Sequence, residues 1–166
     1  MSFELRHGSA PLLVSIPHVG TSIPGDLHDD YVPRALDVED ADWHLDRLYA
    51  FAQDLGASIL RPQLARYVID LNRPPDDAPM YPGASNTELC PTRFFTGEPL
   101  HLPGRAPDAQ ERERRLQAHW MPYHGALQAE LSRILAEHGW VLLWDAHSIR
   151  SGAAATSASA NAPTSE

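Results

Sequence analysis

Short apolar segments separated by helix-like patterns set the strongest limit on how this chain can fold. Residues 12–16, 57–60 and 140–144 are short and rich in large apolar side chains, which is typical of β-strands with buried faces. Two longer segments, residues 42–55 and 107–138, carry apolar side chains at helical spacing. Apolar strands separated by helices predict an α/β layered fold with a mixed sheet.

The ends of the predicted helices are also visible in the sequence. Asp40 or Asp42 could cap the first helix, because an aspartate side chain accepts hydrogen bonds from first-turn amides, and Gly56 suits its end. The second helix ends at Gly139 and contains Pro122, which is expected to kink or divide it.

Composition excludes several classes of protein. The 166 residues suit one domain, and the formal net charge of -9 argues against a nucleic-acid backbone or an anionic membrane as partner. Cys90 is the single cysteine, so the chain holds no internal disulfide and no cysteine-based zinc site. No apolar run approaches the roughly 20 residues of a membrane span, and the first residues lack a signal-peptide pattern. The cytoplasm is therefore the expected location.

Two segments lack the periodicity of helices or strands. Residues 76–107 are rich in proline, glycine, aspartate and threonine, which makes them a candidate lid or substrate loop. Residues 151–166 contain mostly alanine, serine and threonine, which cannot bury a core face, and they are predicted to be a disordered tail. The folded domain is therefore expected to span residues 1–150.

Histidines follow the first and the last predicted strands, at positions 18 and 147. Ligands of open α/β sheets bind at the carboxyl ends of strands, where His18 and His147 are expected. Asp40 and Asp42 stand at the start of the first helix, and either could cap that helix or supply a carboxylate to a metal. Two histidines, one carboxylate and an open fourth position are typical of a hydrolytic zinc site. The sequence therefore predicts a divalent metal site.

Cationic and amide side chains bracket a further β-prone segment, residues 65–73. Arg66 lies at its start, and Asn72 and Arg73 lie at its end before two prolines. A guanidinium group can hold a carboxylate through two hydrogen bonds, and an amide can bind a further oxygen. The segment is predicted to be a short strand that binds a small acid, with an ordinary surface strand as the alternative.

Five segments of the chain, in order, match a known family. They are Ser-Ile-Pro-His-Val-Gly at 15–20, Asp-Ala-Asp-Trp-His at 40–44, residues 65–74, Pro-Tyr-His-Gly at 122–125 and residues 144–150. Together they resemble the N-formylglutamate amidohydrolases, also called N-formylglutamate deformylases, from about residue 10 to residue 150. That family is similar in fold and site to zinc carboxypeptidases and aspartoacylases.

The resemblance implies a zinc-dependent amidohydrolase that converts N-formyl-L-glutamate to formate and L-glutamate in histidine degradation. It also implies roles for six residues: the zinc ligands His18, Asp42 and His147, the substrate-binding Asn72 and Arg73, and the catalytic Arg66. Asp42 is preferred to Asp40 because of its place before Trp43 and His44 in the match.

The resemblance also implies that part of the family's chain is missing here. Relatives continue beyond the histidine that His147 matches, with further strands and a glutamate that acts as general base, and no glutamate of this chain matches that base. We therefore expect a C-terminally truncated domain with impaired catalysis and self-association through uncovered surfaces. The alternatives are an amidohydrolase of another N-acyl amino acid, and a truncated or frame-shifted product that binds metal or ligand without turnover.

Overall fold

Four short strands form a mixed sheet in the computed structural model, which describes residues 2–78 and 87–149. The strands are β1 Phe3–Arg6, β2 Leu12–Ser15, β3 Ser58–Pro62 and β4 Leu142–Asp145. Their order is β1-β3-β2-β4, with β1 antiparallel to β3 and with β2 parallel to both β3 and β4. The predicted α/β fold with a mixed sheet is confirmed, while β1 was not anticipated. The predicted tail at 151–166 lies outside the described residues.

β2 and β4 occupy different places in this sheet. β2 lies between β3 and β4, and its Leu13 and Val14 are almost fully buried. β4 pairs with β2 alone among the described strands, and Leu142 and Trp144 remain 51% and 50% exposed. The prediction of a buried strand is therefore wrong for β4, because the described part of the chain supplies no strand on its outer side.

The helical pattern at 42–55 forms two single turns, α1 Leu45–Leu48 and α2 Phe51–Asp54, rather than one helix. His44 precedes α1 in a left-handed conformation, with a φ of 66°, and no side chain caps the turn. The carboxylates of Asp40 and Asp42 have other partners, so the expected capping by either is wrong. Short helices without caps have little stability of their own, which explains the break between the turns.

Residues 65–73 form successive turns instead of the predicted strand. The Val68 amide donates to the Ala65 carbonyl, and the Arg73 amide donates to the Asp70 carbonyl. The side chains of Arg66 and Asp70 form an ion pair at 2.5 Å. Residues four apart in a strand stand about 13 Å apart, so this ion pair requires a coiled backbone. The segment is buried from residue 65 to residue 71, which leaves no solvent-facing strand surface.

The long helix is confirmed from its first turn to its end. It comprises α3 Ala109–Arg115, a π-helical segment Leu116–Trp120, and α4 Met121–His138. The Asp108 side chain accepts from the Glu111 amide, and Gly139, with a φ of 78°, closes the helix through the Leu135 carbonyl. Pro122 does not divide the helix, because the π-helical segment before it absorbs the mismatch in hydrogen bonding.

The helix covers one face of the sheet. Tyr123 and Ile134 of α4 are buried against Leu13 of β2 and Leu60 of β3. Each buried side chain of this size contributes about 1.5–3 kcal/mol to the free energy of unfolding. The packing fixes the central strand, and with it the segments that leave the carboxyl end of that strand.

The described part of the predicted loop at 76–107 contains two isolated β-bridges, Arg93 with Pro99 and Tyr31 with His101. The bridge between Tyr31 and His101 attaches the loop to the rest of the domain, and the bridge between Arg93 and Pro99 lies within the loop. Among the described residues, no helix combines the length and the apolar character needed to cross a membrane.

Candidate active site

The carboxyl ends of β2 and β4 bring two histidines together. Ser15 pairs with Asp145 in parallel register, so the segments that follow these strands leave the sheet at the same edge. His18 and His147 lie on those segments, and their ring centroids are 4.9 Å apart. The structure thus confirms the expected proximity of the two predicted histidines.

Close backbone packing holds the loop that carries His18. A β-bridge joins Ser22 to Leu64, and Ser22 exchanges hydrogen bonds with Gln63 and Ala65. At Gly20 an added Cβ would stand 2.1 Å from the Leu64 carbonyl oxygen, so a larger residue would force the two segments apart. This close packing explains why the Ser-Ile-Pro-His-Val-Gly motif ends in glycine.

Asp42 completes a group of three residues that could hold a metal ion. Its amide donates to the His18 carbonyl at 2.9 Å, which fixes it beside that histidine. Its Oδ2 lies 3.7 Å from His18 Nδ1 and 3.4 Å from His147 Nδ1, and the three candidate ligand atoms lie within 4.8 Å of one another. Ligands of a tetrahedral zinc ion, with bonds of about 2.0–2.1 Å, stand about 3.3–3.4 Å apart. The two distances to Asp42 Oδ2 are close to this spacing, so the group could hold such an ion.

The second ring nitrogen of each histidine contacts a carboxylate. His18 Nε2 lies 2.6 Å from Asp70 Oδ1, and His147 Nε2 lies 3.0 Å from Asp145 Oδ2. A carboxylate that accepts the Nε2 proton leaves Nδ1 available as a ligand atom. Both histidines therefore have the environment that orients imidazoles at metal sites.

Charge coupling affects the protonation of this group. Burial by itself would raise the pKa of Asp42, but hydrogen bonds with His147 and His18 outweigh it and hold that pKa below its ordinary value. The hydrogen bond to Asp145, followed by that to Asp42, raises the pKa of His147 to about 9. At neutral pH, without a metal, Asp42 is ionised and His147 is protonated, so a bound cation would replace a proton.

Asp40 faces different partners. Its Oδ2 accepts hydrogen bonds from the Tyr67 hydroxyl at 2.8 Å and from the Phe95 amide at 3.1 Å. Of the two aspartates that the sequence left open, Asp42 is the one grouped with His18 and His147 among the described residues.

Two arginines line the same cavity as the histidines, and the cavity has a volume of about 420 Å³. Arg66 donates to Asp70 Oδ2 at 2.5 Å, and its Nη1 lies 3.4 Å from His18 Nδ1. Arg73 donates through Nε to Thr87 Oγ1 at 2.7 Å, and this Nε lies 3.9 Å from Asp70 Oδ2. Burial would raise the pKa of Asp70, but hydrogen bonding and charge from His18, with the charge of Arg66, keep it low.

Asn72 lies beside the site, but it is not one of the described residues that line the cavity. Its side-chain amide is 3.2 Å from His147 Nε2, and its backbone amide donates to Asp70 Oδ1 at 2.9 Å. The structure thus brings Arg66 and Arg73 to the cavity, and it places Asn72 against a histidine.

Sequence reasoning missed three contacts of the site. The contact of Asp70 could have been found from the sequence, because Asp70 lies four residues after Arg66, a spacing that allows an ion pair within a turn. Asp145 has a signal in its closeness to His147. The Phe95 ring lies 4.6 Å from the guanidinium carbon of Arg66 and has no local signal, because the two residues are distant in the chain.

Fold and site together define an α/β protein with two histidines and one aspartate grouped at the carboxyl edge of a mixed sheet, beside two arginines. A profile of the N-formylglutamate amidohydrolase family matches residues 10–165, further than the expected end near residue 150. The N-formylglutamate deformylases of Pseudomonas putida and Pseudomonas aeruginosa are 51% and 50% identical to this chain over 148 residues. Those residues are 89% of this chain and 55% of each relative.

Solved structures show the same likeness. The crystal structure of an N-formylglutamate amidohydrolase from Ralstonia eutropha JMP134 matches with a TM-score of 0.73 and 27% identity, over 89% of this chain and 57% of that one. A gene product of Agrobacterium tumefaciens shares the fold, with a TM-score of 0.64 and 20% identity over 89% of this chain and 56% of its own. The chain belongs to the N-formylglutamate amidohydrolase family, as the sequence predicted, and it spans about half the length of the curated relatives it matches.

Proposed function

We propose that this chain carries the metal-binding and substrate-binding residues for hydrolysis of N-formyl-L-glutamate to formate and L-glutamate. The observation that carries the proposal is the convergence of His18, Asp42 and His147 in a cavity that Arg66 and Arg73 also line. Family membership supports the reaction class, and the names of the two Pseudomonas relatives support the substrate.

Zinc is the proposed cofactor, because imidazole and carboxylate ligands suit it and no cysteine lies in the group. His18 and His147 would bind through Nδ1, and Asp42 would bind through Oδ2. Bound there, zinc would supply Lewis-acid polarisation of a carbonyl and would lower the pKa of water toward about 7. Asp70 and Asp145 would hold the two imidazoles in the binding tautomer.

The two arginines would have different roles in binding and catalysis. Arg66, next to His18 Nδ1, would stabilise the negative charge that develops on the formyl oxygen. Arg73 would hold a substrate carboxylate, with Asn72 as its proposed partner in that contact. Two arginines at one cavity suit a substrate that is a small acid. We also propose that the fold and the site are similar to those of zinc carboxypeptidases and aspartoacylases.

We expect slow turnover by this chain alone. The two carboxylates among the described cavity residues are Asp40 and Asp42, and both are held in other contacts. A positioned general base contributes about 10²–10⁴-fold to the rate, so its lack would leave binding largely intact and would reduce turnover.

Zinc titration and formate release test the proposal. One equivalent of zinc should bind the metal-free chain, Asp42→Ala should abolish that binding, and Asp40→Ala should affect it less. His28→Ala, a change at an exposed histidine of the 3₁₀ helix Gly25–Asp30, is the matched control. Release of formate from N-formyl-L-glutamate, measured beside acetate release from N-acetyl-L-glutamate, identifies the acyl group. Preference for the acetyl compound favours another N-acyl amino acid, and zinc binding without hydrolysis of either favours a non-catalytic product.

Self-association remains a prediction for the exposed edge of the sheet. β4 has no described partner on its outer side, and Leu142, Leu143 and Trp144 are exposed. Such an edge favours pairing with another strand. Sedimentation velocity should show oligomers that Leu143→Lys reduces and that Leu102→Lys, at a similarly exposed leucine, leaves unchanged. A monomer at all concentrations would contradict this.

A further inference from the structure

A tight turn presents an aromatic ring to the candidate active site. Arg93 and Pro99 form an antiparallel bridge, and the Gly97 amide donates to the Phe94 carbonyl, with Gly97 at a φ of 98°. Phe94 points inward and is 4% exposed, whereas its neighbour Phe95 is 53% exposed.

The Phe95 ring lies over a catalytic candidate. Its centroid is 4.6 Å from the guanidinium carbon of Arg66, within the range of a cation–π contact. Arg66 is itself only 6% exposed, and Phe95 and Arg66 both line the cavity that contains His18. The ring therefore lies against the guanidinium, while Nη2 at its edge donates to Asp70.

Asp40 fixes the backbone that carries this ring. Its Oδ2 accepts both the Phe95 amide and the Tyr67 hydroxyl, and the Tyr67 ring meets Phe94 edge to face at 5.7 Å. Asp40 and Tyr67 are 3% and 1% exposed, so these contacts are protected from water. The carboxylate thereby joins the loop that carries Phe95 to the segment that carries Asp42.

We propose that Phe95 is a positioning residue that orients and dehydrates the Arg66 guanidinium, and that Asp40 and Tyr67 hold Phe95 in place. A guanidinium shielded from water interacts more strongly with charge that develops in the cavity. The catalytic consequence of this arrangement rests on the proposed function, but the shielding of Arg66 does not. Asp40 would thus serve the site without binding the metal.

Arginine labelling tests the shielding directly. Metal-free protein is treated with phenylglyoxal, and the labelling rate of each arginine is followed by mass spectrometry, with the 41%-exposed side chain of Arg61 as internal reference. Phe95→Ala should raise the rate at Arg66 about two- to fivefold, and Asp40→Ala should do the same, while Phe95→Tyr should restore the slow rate. Phe51→Ala, at a phenylalanine with 54% exposure outside the cavity, is the matched control. An unchanged rate in Phe95→Ala, or an equal rise in Phe51→Ala, would overturn the proposal.

Kinetics of the zinc-loaded chain test the consequence. Phe95→Ala should lower kcat for N-formyl-L-glutamate by up to about 100-fold, the cost of misplacing a group by about 1 Å, with a smaller change in KM. Zinc affinity should stay at the wild-type value, because Phe95 is not in the ligand group. A wild-type kcat in Phe95→Ala would refute the positioning role. If the wild-type chain hydrolyses no N-formyl-L-glutamate, the proposed function fails, and the labelling experiment still decides the shielding of Arg66.

Discussion

β2 and β4 are neighbouring strands that look alike in sequence and differ in their surroundings. Both are apolar, they pair in parallel register, and each is followed by a histidine that faces Asp42. The His18 side chain is 5% exposed and the His147 side chain is 32% exposed. The supporting carboxylates differ in the same way, because Asp70 is fully buried and Asp145 is 41% exposed.

The difference follows from position in the sheet. β2 has a strand on each side and α4 across one face, so its carboxyl end is held by many contacts. β4 is an edge strand within the described part of the chain, and its carboxyl end has fewer supports. The half of the site that depends on β2 is therefore rigid, and the half that depends on β4 is more flexible. Equivalent substitutions should reduce zinc affinity and the free energy of unfolding by more on the β2 side.

The largest expected difference concerns metal binding. His18→Ala and His147→Ala should each reduce zinc affinity by more than the roughly 10–100-fold that loss of an outer partner costs, with the larger loss for His18→Ala. The reason is that a rigid ligand binds a metal with less loss of conformational freedom. Competition with a chelator of known affinity measures both constants. A larger loss of zinc affinity for His147→Ala would contradict the greater rigidity of the β2 side.

The supporting carboxylates should show the same asymmetry. Asp70→Asn breaks a buried ion pair with Arg66, and we expect a loss of about 3–5 kcal/mol in the free energy of unfolding. Asp145→Asn, at a more exposed residue, should cost about 0–1 kcal/mol. Urea denaturation of the metal-free variants provides both values. Equal losses would show that burial of the pair does not matter here.

A third test compares residues that face each other across the two strands. Leu13 pairs in register with Leu143, yet the first is fully buried and the second is 41% exposed. Leu13→Ala should cost about 2–5 kcal/mol in the free energy of unfolding, because it leaves a cavity. At a protein concentration low enough for the chain to be a monomer, Leu143→Ala should cost less than half as much. Equal costs in the monomer would contradict the exposure of Leu143.

The smallest expected effect is a dependence of stability on pH at the β4 end, because solvent screens the charge of a histidine side chain that is 32% exposed. The pKa of His147 is raised to about 9, above the value of about 6.5 in an unfolded chain. Because the folded state binds this proton more tightly, the resulting stabilisation is complete below about pH 6.5 and is lost as pH rises through about 9. Denaturation of the metal-free chain at several pH values should show this decline. Asp145→Asn should weaken the decline and His147→Gln should remove it; an unchanged slope in His147→Gln would exclude His147 as its source.

Local patterns predicted much of the fold, and they failed where partners are distant. β2, β3 and the end of the long helix at Gly139 follow from apolar runs and end signals in the sequence. The β-prone segment at 65–73 does not form a strand, because the Arg66–Asp70 ion pair and burial on all sides impose turns. Propensity describes a half-buried strand, and it gives no account of a segment that is buried throughout.

The sequence by itself determined the family, which depends on residue identity, and it indicated His18 and His147, which follow the ends of β2 and β4. It also singled out Arg66 and Arg73 by residue type, although the strand that it predicted for them does not form. The tertiary structure decided which aspartate faces the histidines, which of two similar strands is buried, and where the Phe95 ring lies. Each of those outcomes depends on contacts between residues far apart in the chain. Burial and hydrogen-bond partners are properties of the packed neighbours, so a local pattern cannot specify them.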